Sequence, residues 1–183
     1  MKEHELHNYK LVLQYEGIRY NGWQKQKNQE NTIQEVVENA VFDGTGERAE
    51  VIGSGRTDAG THAMGQVANV KLGQDLEPER LMDNINKHLP SDIKILECEK
   101  VDNRFHARLN AKAKTYMYTL CVGKKPDVFN RRTVLHYCAD LDVNAMKKAA
   151  EYLKGEHDFM SFCSNKRTKK STVRKIYDIE IIK

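Results

Sequence analysis

Over residues 9–101 the apolar period changes from two to 3.6 and back, twice, and this rhythm limits the fold more than any composition figure does. Tyr9, Leu11, Leu13 and Tyr15 alternate with Lys10, Val12 and Gln14, the pattern of a strand with one buried face. Thr32-Ile33-Gln34-Glu35 has the form of a capping box, and Ile33, Val36, Val37, Ala40 and Val41 then share one helical stripe. The spacing predicts a helix over 32–43, stopped by Gly44. Strands are expected over 50–54 and 66–72. Pro78 suits a first helical turn, with Leu81, Met82, Ile85 and Leu89 as the buried face, and residues 93–101 read as a further strand. Strand, helix, strand, strand, helix, strand is the split βαβ or ferredoxin-like order. The expected class is therefore α+β, with an antiparallel sheet covered by two helices on one face and its other face left free.

A second unit is expected from Asn110, dividing the chain into lobes 1–109 and 110–183. Residues 111–121 read as a strand with Lys112, Lys114, Tyr116 and Tyr118 on one face. A strand near 133–138, a helix from Asp142 to Lys154 stopped by Gly155, and a strand from Val173 to Ile182 follow. Measured against the first lobe, this second ferredoxin-like lobe is incomplete, short of roughly a helix and a strand.

Charge separates the halves. Residues 1–102 carry 12 basic against 18 acidic side chains, net −6, whereas residues 103–183 carry 18 against 8, net +10. The second half is the one suited to a polyanion. Residues 166–175 contain no acid and hold six of those positive charges, including Lys166, Arg167, Lys169 and Lys170. Such a run is read either as a solvated loop or as a phosphate contact. The four cysteines, Cys98, Cys121, Cys138 and Cys163, lack paired spacing, so neither a metal cluster nor a disulfide framework is expected. No apolar run approaches a membrane span and the first residues lack the apolar core of a signal peptide, so a cytoplasmic protein with no membrane partner is expected.

Residues 53–65, GSGRTDAGTHAMG, form a polar, glycine-punctuated loop between two strand patterns. Asp58 in such a loop is either an Asx turn or a reacting carboxylate, and Arg56 is either a surface partner or the cation that keeps Asp58 ionised in a poorly hydrated cleft. The residues alone leave both readings open. Upstream, Tyr15 to Gln26 mix aromatic, basic and amide side chains, including Tyr20, Trp23 and Gln24; this mix serves either as a turn anchored by Trp23 or as an RNA-facing surface. His106 has no companion at metal-ligand spacing and reads as a hydrogen-bonding side chain. No nucleotide-binding loop is present, and no cofactor or metal is expected.

GRTDAGTHAMGQV resembles the signature loop of the tRNA pseudouridine synthase A (TruA) family, usually written RTDAGVHA, with Thr61 in place of the usual Val. Residues 15–26 are similar to the family's YxGxxYxGWQxQ, FHARLNAKAKTYMY to its FxARxSAxxKxYxY, and His157 to Phe162 to its HDFxSF. The resemblance implies that Asp58 is the catalytic aspartate, Arg56 its ion-pair partner and Tyr116 the tyrosine that stacks on the target uracil. It implies RNA contacts from Arg108, Tyr20, Trp23, Gln24, His62 and the loop basics Lys166, Arg167, Lys169 and Lys170, with the two Phe of HDFMSF positioning that loop. The implied reaction converts uridine to pseudouridine at positions 38–40 of the tRNA anticodon arm, in a homodimer with an RNA cleft between the lobes. A third family motif, with a hydrophobic-Met-Val-Arg core, has no match in these residues, so the sequence is expected to be a fragment or a reduced member. The rival readings are an RNA-binding module without catalysis and a hydrolase using Asp58 as base.

Overall fold

The computed structural model describes residues 5–26, 30–123, 125, 127–163 and 171–183, and the chain divides into two compact units, Met1–Met117 and Tyr118–Lys183. In the first, strands β1 (His7–Tyr15), β2 (Val51–Gly53), β3 (Ala63–Leu72) and β4 (Ile93–Val101) form one antiparallel sheet in the order β2-β3-β1-β4. Helices α1 (Ile33–Thr45) and α2 (Pro78–His88) complete the split βαβ arrangement. Tyr9, Leu11, Leu13 and Tyr15 point to the core with Ala68, Val70 and Leu72 of β3 and Ile93 and Ile95 of β4. Ile33, Val37, Ala40 and Val41 of α1 and Leu81 and Ile85 of α2 close that core. A register shift against Val12 and Leu13 changes the phase of β4, which turns Leu96 and Glu97 outward and brings Cys98 in.

The first helix departs from expectation at its end. Thr32 caps it, accepting from the Glu35 N–H at 3.4 Å, but it runs past Gly44 and stops at Gly46, which is left-handed at φ 77°. Gly44 serves the crossing of the helices instead: a Cβ there would lie 3.1 Å from the backbone of Asn84 in α2. The open face of the sheet is also partly covered. Asn8 and Asn69 are buried on it, Asn69 donating to Asn8 Oδ1 at 3.1 Å; Asn8 Nδ2 donates to the carbonyls of Asp102 and Phe105, and Asn69 Oδ1 accepts from the Ala107 N–H. These bonds pin the turn 102–107 to the back of the sheet.

The second unit contains β5 (Leu120–Val122), β6 (Leu135–Tyr137), α3 (Val143–Glu151), β7 (Gly155–Asp158) and β8 (Val173–Ile176). β7 and β8 are antiparallel, but β5 and β6 run parallel, correcting the all-antiparallel expectation. Residues 123–134, about a dozen, give the return length a parallel pair needs. The strands expected over 111–121 and 173–182 shrink to 120–122 and 173–176, because alternation makes a strand only where a neighbour supplies a ladder of hydrogen bonds; among the described residues 111–119 join no ladder, although the Thr119 carbonyl accepts from the Leu135 N–H at 2.9 Å. Asp142 caps α3, accepting from the N–H groups of Asn144 and Ala145. Among the described residues of this unit only Ala150 and Thr172 are buried. No described helix is long and apolar enough to cross a membrane.

Candidate active site

The loop between β2 and β3 carries Asp58, and it is held by backbone bonds together with the side chains of Ser54, Thr57, His62 and Gln66. The Ser54 N–H donates to Val67 O at 2.7 Å and Gln66 Nε2 to Gly55 O at 2.7 Å, fixing its first turn. The Trp23 N–H donates to Thr57 O at 3.0 Å, the Gly60 N–H to Tyr20 O at 3.2 Å, and the Gly17 N–H to His62 Nδ1 at 3.3 Å. Residues 15–23 are thus a cradle for residues 57–62. The cradle is in turn joined to α1, because the carbonyls of Gly22 and Trp23 accept from the Ile33 and Gln34 N–H groups at the helix start.

Two cradle glycines exist because the loop passes too close for a side chain. A Cβ on Gly17 would lie 1.9 Å from Thr61 O, and one on Gly22, at φ 80°, would lie 2.5 Å from Thr57 O. Gly53 is covered by the Trp23 indole, which a Cβ would meet at 2.5 Å.

Thr57 turns inward, its hydroxyl 2.9 Å from the Tyr15 hydroxyl. Its neighbours Arg56 and Asp58 therefore face outward, and both are exposed. Among the described ion pairs none joins Arg56 to Asp58, so the expected pair in a poorly hydrated cleft is not what the unit contains by itself. Gly55 meets a different cation: its missing Cβ would fall 2.3 Å from Lys114 Nζ. Lys114 thereby reaches the loop of Asp58 with the end of its side chain, from the segment that also carries Tyr116, itself exposed.

The expectation that Tyr20 and Trp23 face RNA is corrected. They are 4% and 2% exposed, and a base could stack on them only by opening the core. Gln24 turns toward α1, donating to Gln34 Oε1 at 2.7 Å, and with Lys25, Glu38 and Arg48 it lines a shallow cavity of about 490 Å³. Half-buried His62 uses Nδ1 as the acceptor for Gly17. Arg108 is exposed, with its N–H donating to His106 Nδ1 at 3.2 Å, so His106 is the hydrogen-bonding side chain that its isolation suggested. In the second unit Phe159 and Phe162 meet edge to face at 5.9 Å beside the β7–β8 pair. The loop basics Lys166, Arg167, Lys169 and Lys170 lie outside the described residues.

The residues that sequence reasoning missed are structural partners of the loop. Asp92, just ahead of β4, accepts from Tyr20 Oη at 2.7 Å and from Arg19 Nε at 2.8 Å, and its carbonyl accepts from the Glu16 N–H at 2.9 Å. Burial works against its ionisation, but the bonds from Tyr20 and Arg19 outweigh it and hold the carboxyl below its usual value. Burial, and then the Asp92 carboxylate, push the Tyr20 phenol up to about 12. A pH dependence follows from that shift. Above pH 10 the unfolded chain gives up the Tyr20 proton while the folded protein keeps it, so the folded state binds more protons and stability falls as pH rises toward 12. In urea titrations, the stability advantage of wild type over Tyr20→Phe is expected to be constant below pH 10 and to shrink between pH 10 and 12.

A family model described as tRNA pseudouridine synthase matches residues 11–110 and 149–183, taking in the cradle, the loop and the Arg108 turn. A Bacillus cereus (strain ATCC 10987) protein named tRNA pseudouridine synthase A 2 is 44% identical over 177 residues, covering 97% of this chain and 72% of its own length. Proteins named tRNA pseudouridine synthase A from Bacillus sp. (strain KSM-64) and Acetivibrio thermocellus are 45% and 41% identical over 176 residues, each with 96% of this chain and 72% of the relative covered. With the loop, its glycine cradle and this breadth of similarity together, the chain belongs to the tRNA pseudouridine synthase A family, whose members are isomerases.

Proposed function

We propose that this chain isomerises uridine to pseudouridine in the anticodon arm of tRNA, at positions 38–40, with the Asp58 carboxylate as the nucleophile or base. The observation that carries this reading is the seating of an exposed carboxylate: residues 57–62 are held to residues 15–23 by backbone bonds and by the Thr57 and His62 side chains, while the Asp58 side chain is left exposed to meet a substrate. The reaction breaks the bond between uracil N1 and ribose C1′, turns the base, and joins C5 to C1′. The C5 hydrogen leaves as a proton and N1 gains one, so atoms balance without an outside group. Asp58 enters by adding to the base or the ribose, or by taking a ribose proton.

A uracil inside a stem is out of reach, so the nucleotide leaves its stack and the incoming base displaces water from Asp58. Tyr116, exposed two residues beyond the Lys114–Gly55 contact, is the side chain on which that base stacks. Arg56 and Arg108, both exposed, supply positive charge for phosphate or for the reacting carboxylate, and the net +10 of residues 103–183 supplies the wider attraction to RNA. Tyr20 and Trp23 act beneath the loop as its support. The active form is a homodimer, the assembly that the resemblance implies, and its compartment is the cytoplasm, as expected from the sequence.

Incubation of the protein with unmodified tRNA transcripts, followed by mapping of pseudouridine along the chain, tests the reading. Product confined to positions 38–40 is expected. Binding of the transcript with no pseudouridine at any position would favour the module without catalysis.

A further inference from the structure

We propose that Asp92 is a positioning residue that sets the loop bearing Asp58, a role that rests on the reading of Asp58 as the reacting group. Asp92 lies 34 residues beyond Asp58 in the sequence and acts on the loop through the cradle. Its two carboxylate oxygens take different donors: Oδ1 accepts from Tyr20 Oη at 2.7 Å, and Oδ2 accepts from Arg19 Nε at 2.8 Å and lies 2.6 Å from Arg19 Nη2. Its carbonyl takes the Glu16 N–H at 2.9 Å. Donors from residues 16, 19 and 20 therefore converge on one residue and hold the turn Gly17–Arg19 in a single orientation.

The opposite side of that turn is the part that touches the loop. Tyr20 offers its carbonyl to the Gly60 N–H, and Gly17 lies against the Thr61 carbonyl at a distance that leaves no room for a methyl group. With the phenol fixed at one end by Asp92, the Tyr20 carbonyl at the other end has one direction. The Asp92 side chain is 12% exposed although that of Arg19 is 62% exposed, whereas in the surface pair Lys100–Asp75 both side chains, at 44% and 59%, lie open to solvent. Charge-assisted bonds to a poorly hydrated carboxylate hold geometry; an exposed pair does not. A loop displaced by about 1 Å costs on the order of a hundredfold in rate when its carboxylate must meet a reacting atom.

The test uses the full chain with Asp92→Asn, Tyr20→Phe and, as a control, Asp75→Asn. Two quantities are read: steady-state kinetics on tRNA, and hydrogen exchange at the Gly60 amide, which needs no turnover. Asp92→Asn is expected to lower kcat by about 30-fold with KM within about twofold, and Tyr20→Phe to lower kcat by about 5-fold. Both are expected to speed exchange at Gly60 by about tenfold, while Asp75→Asn moves neither quantity. Unchanged Gly60 exchange in Asp92→Asn and Tyr20→Phe would overturn the proposal, as would a raised KM at constant kcat, which would make Arg19 and Asp92 a tRNA contact. Should Asp92→Asn fail to fold, Tyr20→Phe decides by the same readouts. Should the wild type show no turnover, Gly60 exchange alone decides whether Asp92 sets the loop.

Discussion

Gly22→Ala is expected to cost about 2–4 kcal/mol of stability and to lower turnover by about 100-fold, whereas Gly46→Ala costs about 1 kcal/mol and leaves turnover alone. The two glycines have nearly the same backbone, φ 80° and φ 77°, so the strain of placing an L side chain in the left-handed region is common to both. They differ in what the new methyl group meets. At Gly46 nothing lies within 4 Å, while at Gly22 the methyl falls 2.5 Å from Thr57 O, 3.2 Å from Asp58 C and 3.3 Å from Ala59 N. Those atoms are backbone of the loop, so relief comes only by moving Asp58. Denaturant unfolding and turnover, measured on both variants, check the comparison. Equal loss of turnover in the two would mean that the cradle does not place the loop.

Much of the first unit was legible because local pattern and tertiary demand agree there. The alternation from Tyr9 to Tyr15, the stripe from Ile33 to Val41 and the Pro78 start of the second helix all recur as β1, α1 and α2. Patterns fail where a distant partner decides. Gly44 reads as a helix stop, yet the backbone of Asn84 makes it a crossing point and the stop falls to Gly46. Residues 111–119 alternate well but join no strand ladder among the described residues. Tyr20 and Trp23 carry the composition of a base-stacking surface, and only the loop lying over them turns that composition into core. Asp92 lies just ahead of the strand 93–101 and no local pattern marks it out; its meaning comes from Arg19 and Tyr20, more than seventy residues earlier.

At the candidate site, the sequence made Asp58 a choice between an Asx turn and a reacting group. Among the described residues the loop's bonds are made by its backbone, by Ser54, by Thr57, by His62 and by Gln66, and none of these uses the Asp58 side chain. The carboxylate is therefore dispensable for folding. Asp58→Asn, nearly the same shape and exposed, is expected to shift stability by less than about 0.5 kcal/mol. Binding of tRNA is expected to hold or to tighten slightly, since one negative charge facing a polyanion is removed. Turnover is expected to fall by roughly four orders of magnitude or more, because an amide can neither attack nor take a proton in place of the carboxylate.

The deciding measurement is the release of tritium to water from tRNA labelled at uridine C5, since that hydrogen leaves only when C5 takes its new bond to the ribose. Wild-type protein is expected to release it, and Asp58→Asn, folded and binding the same tRNA, to release none above background. Release by Asp58→Asn at the wild-type rate would contradict the account and return Asp58 to the role of a turn residue.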